Sequence, residues 1–397
     1  MNDVTRGGEI TFTDLFAGAG GLSEGLVQAS PRFRAAQAVE WDRDAAATYR
    51  QNFPHAGVFH GDINDWVRQG DIENVDVVVG GPPCQGFSTL GKQDENDEKN
   101  FLWHQYAKVV VRAEPRYFVM ENVPQFERSQ QRDVFLEELE SGNLRGYRAR
   151  IHLVNTADYG APQIRKRMII LGWRRDQPEL RMPPPTVAHD RYLTVRDAFA
   201  GLPRRVVDVD LPDRRIDVEG VARPGPFRTD ELHLTREYRQ LSLQRFSCIP
   251  PGGNRMDLPD ELLTPCWRRH TSGSGDVMGR LHWDRPSVTI RTEFNKPEKG
   301  RYLHPEEHRA ITHHEAARLM GFPDDYLWVG SKTEIAKQIG NAVPIQLGAV
   351  IGRRILALVS GEPIEEGPAQ GLWRQEEIDF HVSSTSSAIS NGSSCSQ

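Results

Sequence analysis

Cysteine is scarce. Cys84, Cys248, Cys266 and Cys395 are the only four in 397 residues, widely scattered and with no Cys-x-x-Cys pair. That spacing gives no basis for a disulfide framework or a cysteine-ligated zinc site. Long apolar runs are also missing: nothing approaches the roughly 20 residues of a membrane span. The first eight residues (MNDVTRGG) lack the apolar segment of a secretion signal. A cytoplasmic protein with no membrane partner is therefore expected. Positive charge is short overall, the net being −6, which by itself argues against a polyanionic partner. The distribution differs from the total. Between Arg181 and Trp283 there are sixteen arginines and no lysine against fourteen carboxylates, a local excess of two positive charges. A segment using only arginine suits bidentate recognition of phosphate or guanine. A compositional bias of the genome explains the same pattern.

What is present points to an α/β enzyme. With 38% hydrophobic and 26% charged residues, the composition is that of a globular protein. The length allows two or three domains around a sizeable core. Strand patterns fall at 10–15, 35–40, 58–61, 75–80, 117–120, 149–154 and 167–173, with helical patterns at 23–29, 44–52 and 101–113. Strands separated by helix-length segments predict a doubly wound, mostly parallel sheet. No helix separates the last two strands, so they are expected to pair as an antiparallel edge. From Met182 to about Lys299 the periodicity fades while proline, glycine and arginine rise, which reads as a smaller, loop-rich second domain. Thr312-x-x-Glu315 has the form of a capping box, opening a helix that Gly321 ends, with Pro323 beyond it. Residues 345–359 give one more amphipathic helix. Residues 382–397 are mostly polar and read as a disordered tail.

The candidate chemistry lies at strand ends. VVVGGPPC (77–84) reads as a buried strand leading into a Gly/Pro turn that carries Cys84. Open α/β sheets bind ligands at the carboxyl ends of their strands, which makes Cys84 a candidate nucleophile. A small buried apolar side chain is the competing reading. FTDLFAGAGGLS (12–23) is a strand, a glycine-rich turn and a helix start, and Gly18, Gly20 and Gly21 would let a ligand approach the backbone. Ser23 stands where the dinucleotide pattern has its third glycine. Glu40 suits ribose hydroxyls, Trp41 an adenine face, and Asp62 an exocyclic amine. Together they suggest an adenosine-containing cofactor, though not NAD in particular; singly, each is as well explained by a turn or surface role. Glu121 ends the strand beside that of Cys84, where burial would raise its pKa and make it a proton donor, unless it caps the next helix. In QIRKR, alternation puts Gln163, Arg165 and Arg167 on one face, suited to pairing with Glu121 and holding a substrate oxygen or phosphate. His313 and His314, with His304 and His308 nearby, point to different helix faces, and no metal is expected.

Six segments, DLFAGAGG (14–21), GPPCQGFS (81–88), ENV (121–123), QIRKR (163–167), RPSVTI (285–290) and GNAV (340–343), occur in this order. In that order the chain resembles the DNA cytosine-5 methyltransferases, particularly those of bacterial restriction-modification systems, over about residues 10–360 except most of the arginine-rich segment. The resemblance implies the fold of S-adenosylmethionine-dependent methyltransferases. Residues 1–185 and 335–365 would form a discontinuous catalytic and cofactor-binding domain, 186–334 a target-recognition domain with its hinge, and 366–397 a tail. It also implies transfer of a methyl group from S-adenosylmethionine to C5 of a flipped-out cytosine in a specific duplex DNA sequence, through a covalent Cys84–C6 adduct. Glu121 would protonate or hydrogen-bond N3. Arg167, with Arg165, would hold O2 and position Glu121. Phe16, Gly18, Gly20, Glu40, Trp41, Asp62, Ile63, Pro83, Leu102 and Asn341 would form the cofactor site, and residues 85–100 a loop closing over it. Double-stranded DNA is the implied partner, with a restriction endonuclease in the same system and the chain itself a monomer. A tRNA substrate for the same chemistry, or a catalytically dead DNA-binding module, are the alternatives.

Overall fold

The computed structural model describes residues 8–83, 102–269 and 275–362. A seven-stranded sheet is built from β1 (Ile10–Leu15), β2 (Phe33–Glu40), β3 (Gly57–His60), β4 (Val77–Gly80), β5 (Tyr117–Asn122), β6 (Tyr147–Asn155) and β7 (Lys166–Arg174), in the order β3-β2-β1-β4-β5-β7-β6. The first five strands are parallel, β7 is antiparallel to β5, and β6 is antiparallel to β7. The expected antiparallel pair is present at that edge. The strand reversed against the rest is β7, one place in, because β6 reverses again.

Helices α1 (Gly21–Ala29), α2 (Arg43–Asn52), α3 (Ile63–Gln69), α4 (Leu102–Ala113) and α5 (Gln130–Glu140) follow strands in turn. The β-branched run of β4 is buried on both faces, as a central parallel strand requires. Val77 and Val79 join Phe12, Tyr117 and Val119 in one apolar layer; Val78 joins Leu15, Trp103, Tyr106, Phe118 and Met120 in the other.

The later elements are α6 (Val195–Ala198), β8 (Arg215–Val218), β9 (Val221–Pro224), β10 (Phe227–Arg228), α7 (Gln240–Cys248), α8 (Pro265–Arg269), α9 (His313–Met320), β11 (Leu327–Trp328), α10 (Lys332–Asn341) and α11 (Ile345–Ser360). The capping box is formed, and Gly321 ends α9 in the left-handed conformation at φ 87°. A third core gathers Phe227, Ile290, Tyr302, Leu319, Trp328 and Ile335, with Ala19 and Ile345 reaching in from the sheet side. The C-terminal helix α11 returns to the sheet and packs on α1 at glycines: a Cβ on Gly25 would lie 2.6 Å from the Ile345 carbonyl oxygen and 2.7 Å from the Gly348 Cα.

Much of the arginine in the loop-rich part has an internal use. Arg280, 2% exposed, donates at 2.6–2.9 Å to the carbonyls of Phe246, Ile249, His304 and Glu307. Arg301 does the same for Gly252, Gly253 and Arg280. Where regular ladders are few, guanidinium groups satisfy buried carbonyls that would otherwise cost free energy. Arg196, Arg204, Arg214 and Arg228 pair with Asp284, Glu306, Glu231 and Asp230. Among the described residues no single helix is long and apolar enough to cross a membrane. The expected tail (366–397) lies outside the described residues.

Candidate active site

Sheet order reverses between β1 and β4, so the turns leaving these two strands diverge and open a crevice at their carboxyl ends. On the β4 side, a Cβ on Gly81 would sit 3.0 Å from Glu121 Oε2, and Asn122 Nδ2 donates to the Pro82 carbonyl at 3.3 Å. The turn Gly81–Pro82–Pro83 is thus laid against the end of β5. Cys84 and residues 85–100 follow this turn and lie outside the described residues.

Glu121, next to last in β5, meets Arg167, second in the antiparallel β7: Arg167 Nε is 2.7 Å from Glu121 Oε1. The two side chains are 14% and 15% exposed, a half-shielded ion pair with access from the crevice. The alternation expected in QIRKR holds, with Gln163 and Arg165 buried and Ile164 and Lys166 exposed. The three inward residues do not share one target, however. Gln163 donates to the Leu319 carbonyl at 3.0 Å and accepts from the Ile290 N–H at 3.1 Å. Arg165 donates to the Ile290 carbonyl at 2.8 Å and the Gly340 carbonyl at 3.1 Å. Gln163 is spent on α9 and the RPSVTI segment and Arg165 on the RPSVTI and GNAV segments, while Arg167 carries the ion pair with Glu121. Burial, and the neighbouring charge of Arg167, pull Arg165 down to about 9, with Glu121 opposing. Among the described residues its buried Nε has no hydrogen-bond partner.

On the β1 side the turn into α1 is held in left-handed conformations at Phe16 (φ 57°), Gly18 (φ 54°) and Gly20 (φ 87°). A Cβ on Gly20 would strike the Phe53 ring at 2.6 Å, whereas one on Gly18 would meet nothing within 4 Å. Gly18 therefore faces open space. Its N–H donates to Glu40 Oε2 at 2.7 Å, while Glu40 Oε1 accepts from Asp42 N–H at 2.7 Å. Burial raises the Glu40 carboxyl despite these bonds. Trp41 beside it is 71% exposed, an unusual position for an indole. Asp62 caps α3 through Oδ1, accepting from the backbone N–H and the side chain of Asn64, and Ile63 is buried behind it. Pro83 and Leu102 are partly buried, and Asn341 is exposed at the end of α10. A Cβ on Gly21 would lie 2.5 Å from the Val343 carbonyl oxygen, which places the GNAV segment against the start of α1.

Sequence reasoning missed the support under this turn. Ser23 Oγ donates to Asp14 Oδ2 at 2.6 Å and lies 2.7 Å from Tyr49 Oη. Burial drives the Asp14 carboxyl up to about 7, against the Ser23 hydrogen bond and with some help from Glu40. An acidic residue inside an otherwise uncharged strand was the available signal. The histidines are each engaged separately: His313 with the Lys332 carbonyl, His314 with Asp324, His304 with the Glu306 and Glu307 N–H groups. Among the described residues no group of three or more His, Cys, Asp or Glu is arranged to hold a metal ion.

The C-5 cytosine-specific DNA methylase family matches residues 10–357. The chain is 33% identical over 361 residues to the type II methyltransferase M1.HphI of Haemophilus parahaemolyticus, covering 89% of this chain and 88% of that protein. It is 31% identical over 358 residues to the type II methylase M.HgiDII of Herpetosiphon aurantiacus, covering 88% and 95%. Among solved structures, a putative DNA modification methyltransferase encoded within a prophage (E. coli) is similar with a TM-score of 0.67 at 24% identity, over 88% of this chain and 99% of that one. The Dnmt2 methyltransferase of S. pombe follows with a TM-score of 0.53 at 18% identity, over 89% and 99%. At those identities the two structures speak for the fold alone. The family match spans the sheet, both crevice turns and the Glu121–Arg167 pair, and the chain belongs to the C-5 cytosine-specific DNA methylases: it is a DNA (cytosine-5)-methyltransferase that uses S-adenosylmethionine.

Proposed function

We propose that this chain methylates C5 of a cytosine flipped out of a specific duplex DNA sequence, through a covalent bond between Cys84 and C6. The Glu121–Arg167 ion pair carries the reading, because it stands against the turn that leads directly into Cys84. C5 of cytosine is a weak nucleophile. Addition of the Cys84 thiolate to C6 pushes the ring electrons towards N3 and O2 and leaves C5 as an enamine carbon. Glu121 donates a hydrogen bond or proton to N3 and so stabilises that electron shift. Arg167 fixes the Glu121 carboxyl and presents its remaining donors to O2. S-Adenosylmethionine would supply an electrophilic methyl group on a sulfonium sulfur: C5 would bond to that methyl carbon as its bond to sulfur breaks, with S-adenosylhomocysteine as the leaving group. Loss of the C5 proton and expulsion of the thiolate from C6 then restore the ring and free Cys84. C6 is reached only from the ring face, so the base must leave the stack.

The described turns suit the cofactor. The open face at Gly18, the carboxylate of Glu40, the exposed Trp41 ring and Asp62 border one crevice and match a glycine cradle, a ribose, an adenine face and an amine. Phe16, Gly20, Ile63, Pro83, Leu102 and Asn341 complete the assignment. Arg165 supports the site from behind, its two Nη groups holding the Ile290 and Gly340 carbonyls.

DNA recognition falls to residues 186–334, around a catalytic unit of 1–185 and 335–365. Arg205, Arg215 and Arg239 are exposed there and have no ion pair among the described residues. They are better placed to reach bases or phosphates than the arginines engaged internally. Relatives named type II methyltransferases suggest that the methylation protects DNA in a restriction-modification system.

Duplex DNA in which the target cytosine is 5-fluorocytosine tests the mechanism. Without a C5 proton the adduct cannot eliminate, so a covalent complex resistant to denaturant is expected with the unmodified protein and none with Cys84→Ala. An adduct that survives Cys84→Ala would overturn the nucleophile assignment. Methyl label entering tRNA and not duplex DNA would overturn the substrate.

A further inference from the structure

A hairpin is one of the links by which the loop-rich part of the chain reaches back to the cofactor side of the sheet. Strands β8 and β9 are joined by a two-residue turn, Glu219–Gly220, with both residues left-handed (φ 54° and 78°), the tight form that projects its tip. At the tip, Glu219 Oε2 lies 2.6 Å from His60 Nδ1, and Arg50 Nη1 donates to Glu219 Oε1 at 3.0 Å. At the base, Arg223 of β9 forks onto Asp44 in the first turn of α2, with Nε 2.6 Å from Oδ1. Between them Ile216 and Val218 pack on Ala47 of α2 and on Val329.

The two anchor points bracket the turns assigned above to the adenosine. Asp44 lies three residues after Trp41, in a helix capped by Asp42, whose N–H is held by Glu40 Oε1. His60 ends β3, immediately before Gly61 and Asp62, and the Gly61 N–H donates to the Glu40 carbonyl at 2.9 Å. β3 needs outside support. It is a four-residue edge strand with no fully buried residue, the kind of element that opens locally at little cost.

We infer that the β8–β9 hairpin is a clamp that fixes the adenosine-binding turns, with Glu219 and Arg223 as positioning residues. The inference rests on the assignment of Glu40, Trp41 and Asp62 to the cofactor. Neither clamp residue touches the reacting atoms. Loosening the clamp spreads the two turns over more conformations, and cofactor affinity falls by the fraction no longer competent to bind.

The test uses the full chain, with S-adenosylhomocysteine binding by calorimetry and initial rates varied separately in S-adenosylmethionine and DNA. Glu219→Ala, which removes the contacts to His60, Arg50 and Arg43, is expected to raise the dissociation constant and the cofactor KM about fivefold, the size of one ordinary hydrogen-bond contribution. The kcat at saturating cofactor and the DNA KM should stay within about twofold. Glu219→Gln keeps an oxygen to accept from Arg50 and turns an NH2 donor towards His60 Nδ1, and should restore most of the affinity. Glu40→Gln serves as the reference. If Glu40→Gln weakens binding while Glu219→Ala does not, the clamp is overturned and the cofactor site stands. If Glu40→Gln has no effect, the site assignment fails and takes the clamp with it. A Glu219→Ala variant that loses kcat and both KM values together with thermal stability would also overturn the inference, as a merely structural hairpin would behave that way.

Discussion

Glu121 is where one side chain divides binding from chemistry. It is held by Arg167 at 2.7 Å and shares its wall with Gly81, so its position is set before any substrate arrives. Glu121→Gln preserves the volume and an oxygen for Arg167 but removes the acid that stabilises charge at N3. Methylation should slow by roughly 10²–10⁴, the usual worth of a positioned acid or base. Affinity for cognate duplex DNA, measured by fluorescence anisotropy, should change by no more than about threefold. Equal losses in rate and binding would mean that Glu121 is a structural strut. The pair also shows why Arg167 cannot be exchanged for lysine without loss. Only a guanidinium can hold a carboxylate through one nitrogen and present others to a second oxygen.

Among the elements, α9 makes the plainest case for local chemistry deciding structure. Thr312 Oγ1 accepts from the Glu315 N–H at 3.1 Å, Glu315 Oε2 accepts from the Thr312 N–H at 2.8 Å, and Arg309 adds two bonds of 2.8 Å to the same carboxylate. Thr312→Ala should cost about 1–2 kcal/mol in urea unfolding, and Thr312→Ser should recover most of it; an unchanged midpoint for Thr312→Ala would show that the cap is dispensable. This helix was legible because its signals are four residues long. The seven strands were legible for a similar reason, as short apolar stretches mark them to within two residues. Their order is another matter. Nothing local to 167–173 says that it lies inside 147–155, so the reversed strand emerges only from the assembled sheet. QIRKR shows the same limit: alternation correctly groups Gln163, Arg165 and Arg167, but the partner that claims Arg165 lies 125 residues further on. The arginine count between 181 and 283 had no way to separate a buried strut such as Arg280 from an exposed Arg205. Asp14 stayed hidden because its partner Ser23, and the Tyr49 that Ser23 meets in turn, come from two different helices.

For the molecule as a whole, buried titratable groups set how stability answers to pH. Burial lowers His152, His304 and His313 each to about 4, in His152 with the charges of Arg150 and Arg181 adding to it. Unfolded histidine titrates near 6.5. Between those values the unfolded chain binds protons that the native protein refuses, so stability falls as pH drops through 6.5 and the loss is complete near 4. Asp14 acts in the opposite sense. Its native carboxyl, raised to about 7, keeps a proton that the unfolded chain releases near 3.9, so its cost grows as pH rises and is full above 7. Each such gap is worth on the order of 3 kcal/mol, and three histidines outweigh one carboxyl. Asp324, held at about 2 by Arg318, adds to the loss below pH 4. The urea midpoint should therefore fall steadily from pH 7.5 to pH 5. His313→Gln, whose amide still donates to the Lys332 carbonyl but takes up no proton in this range, should flatten that slope by about half, since one of three histidine contributions goes and the opposing carboxyl stays. A midpoint that is level or rises on acidification would mean that the buried carboxyl of Asp14, beneath the glycine turn, outweighs the three buried histidines.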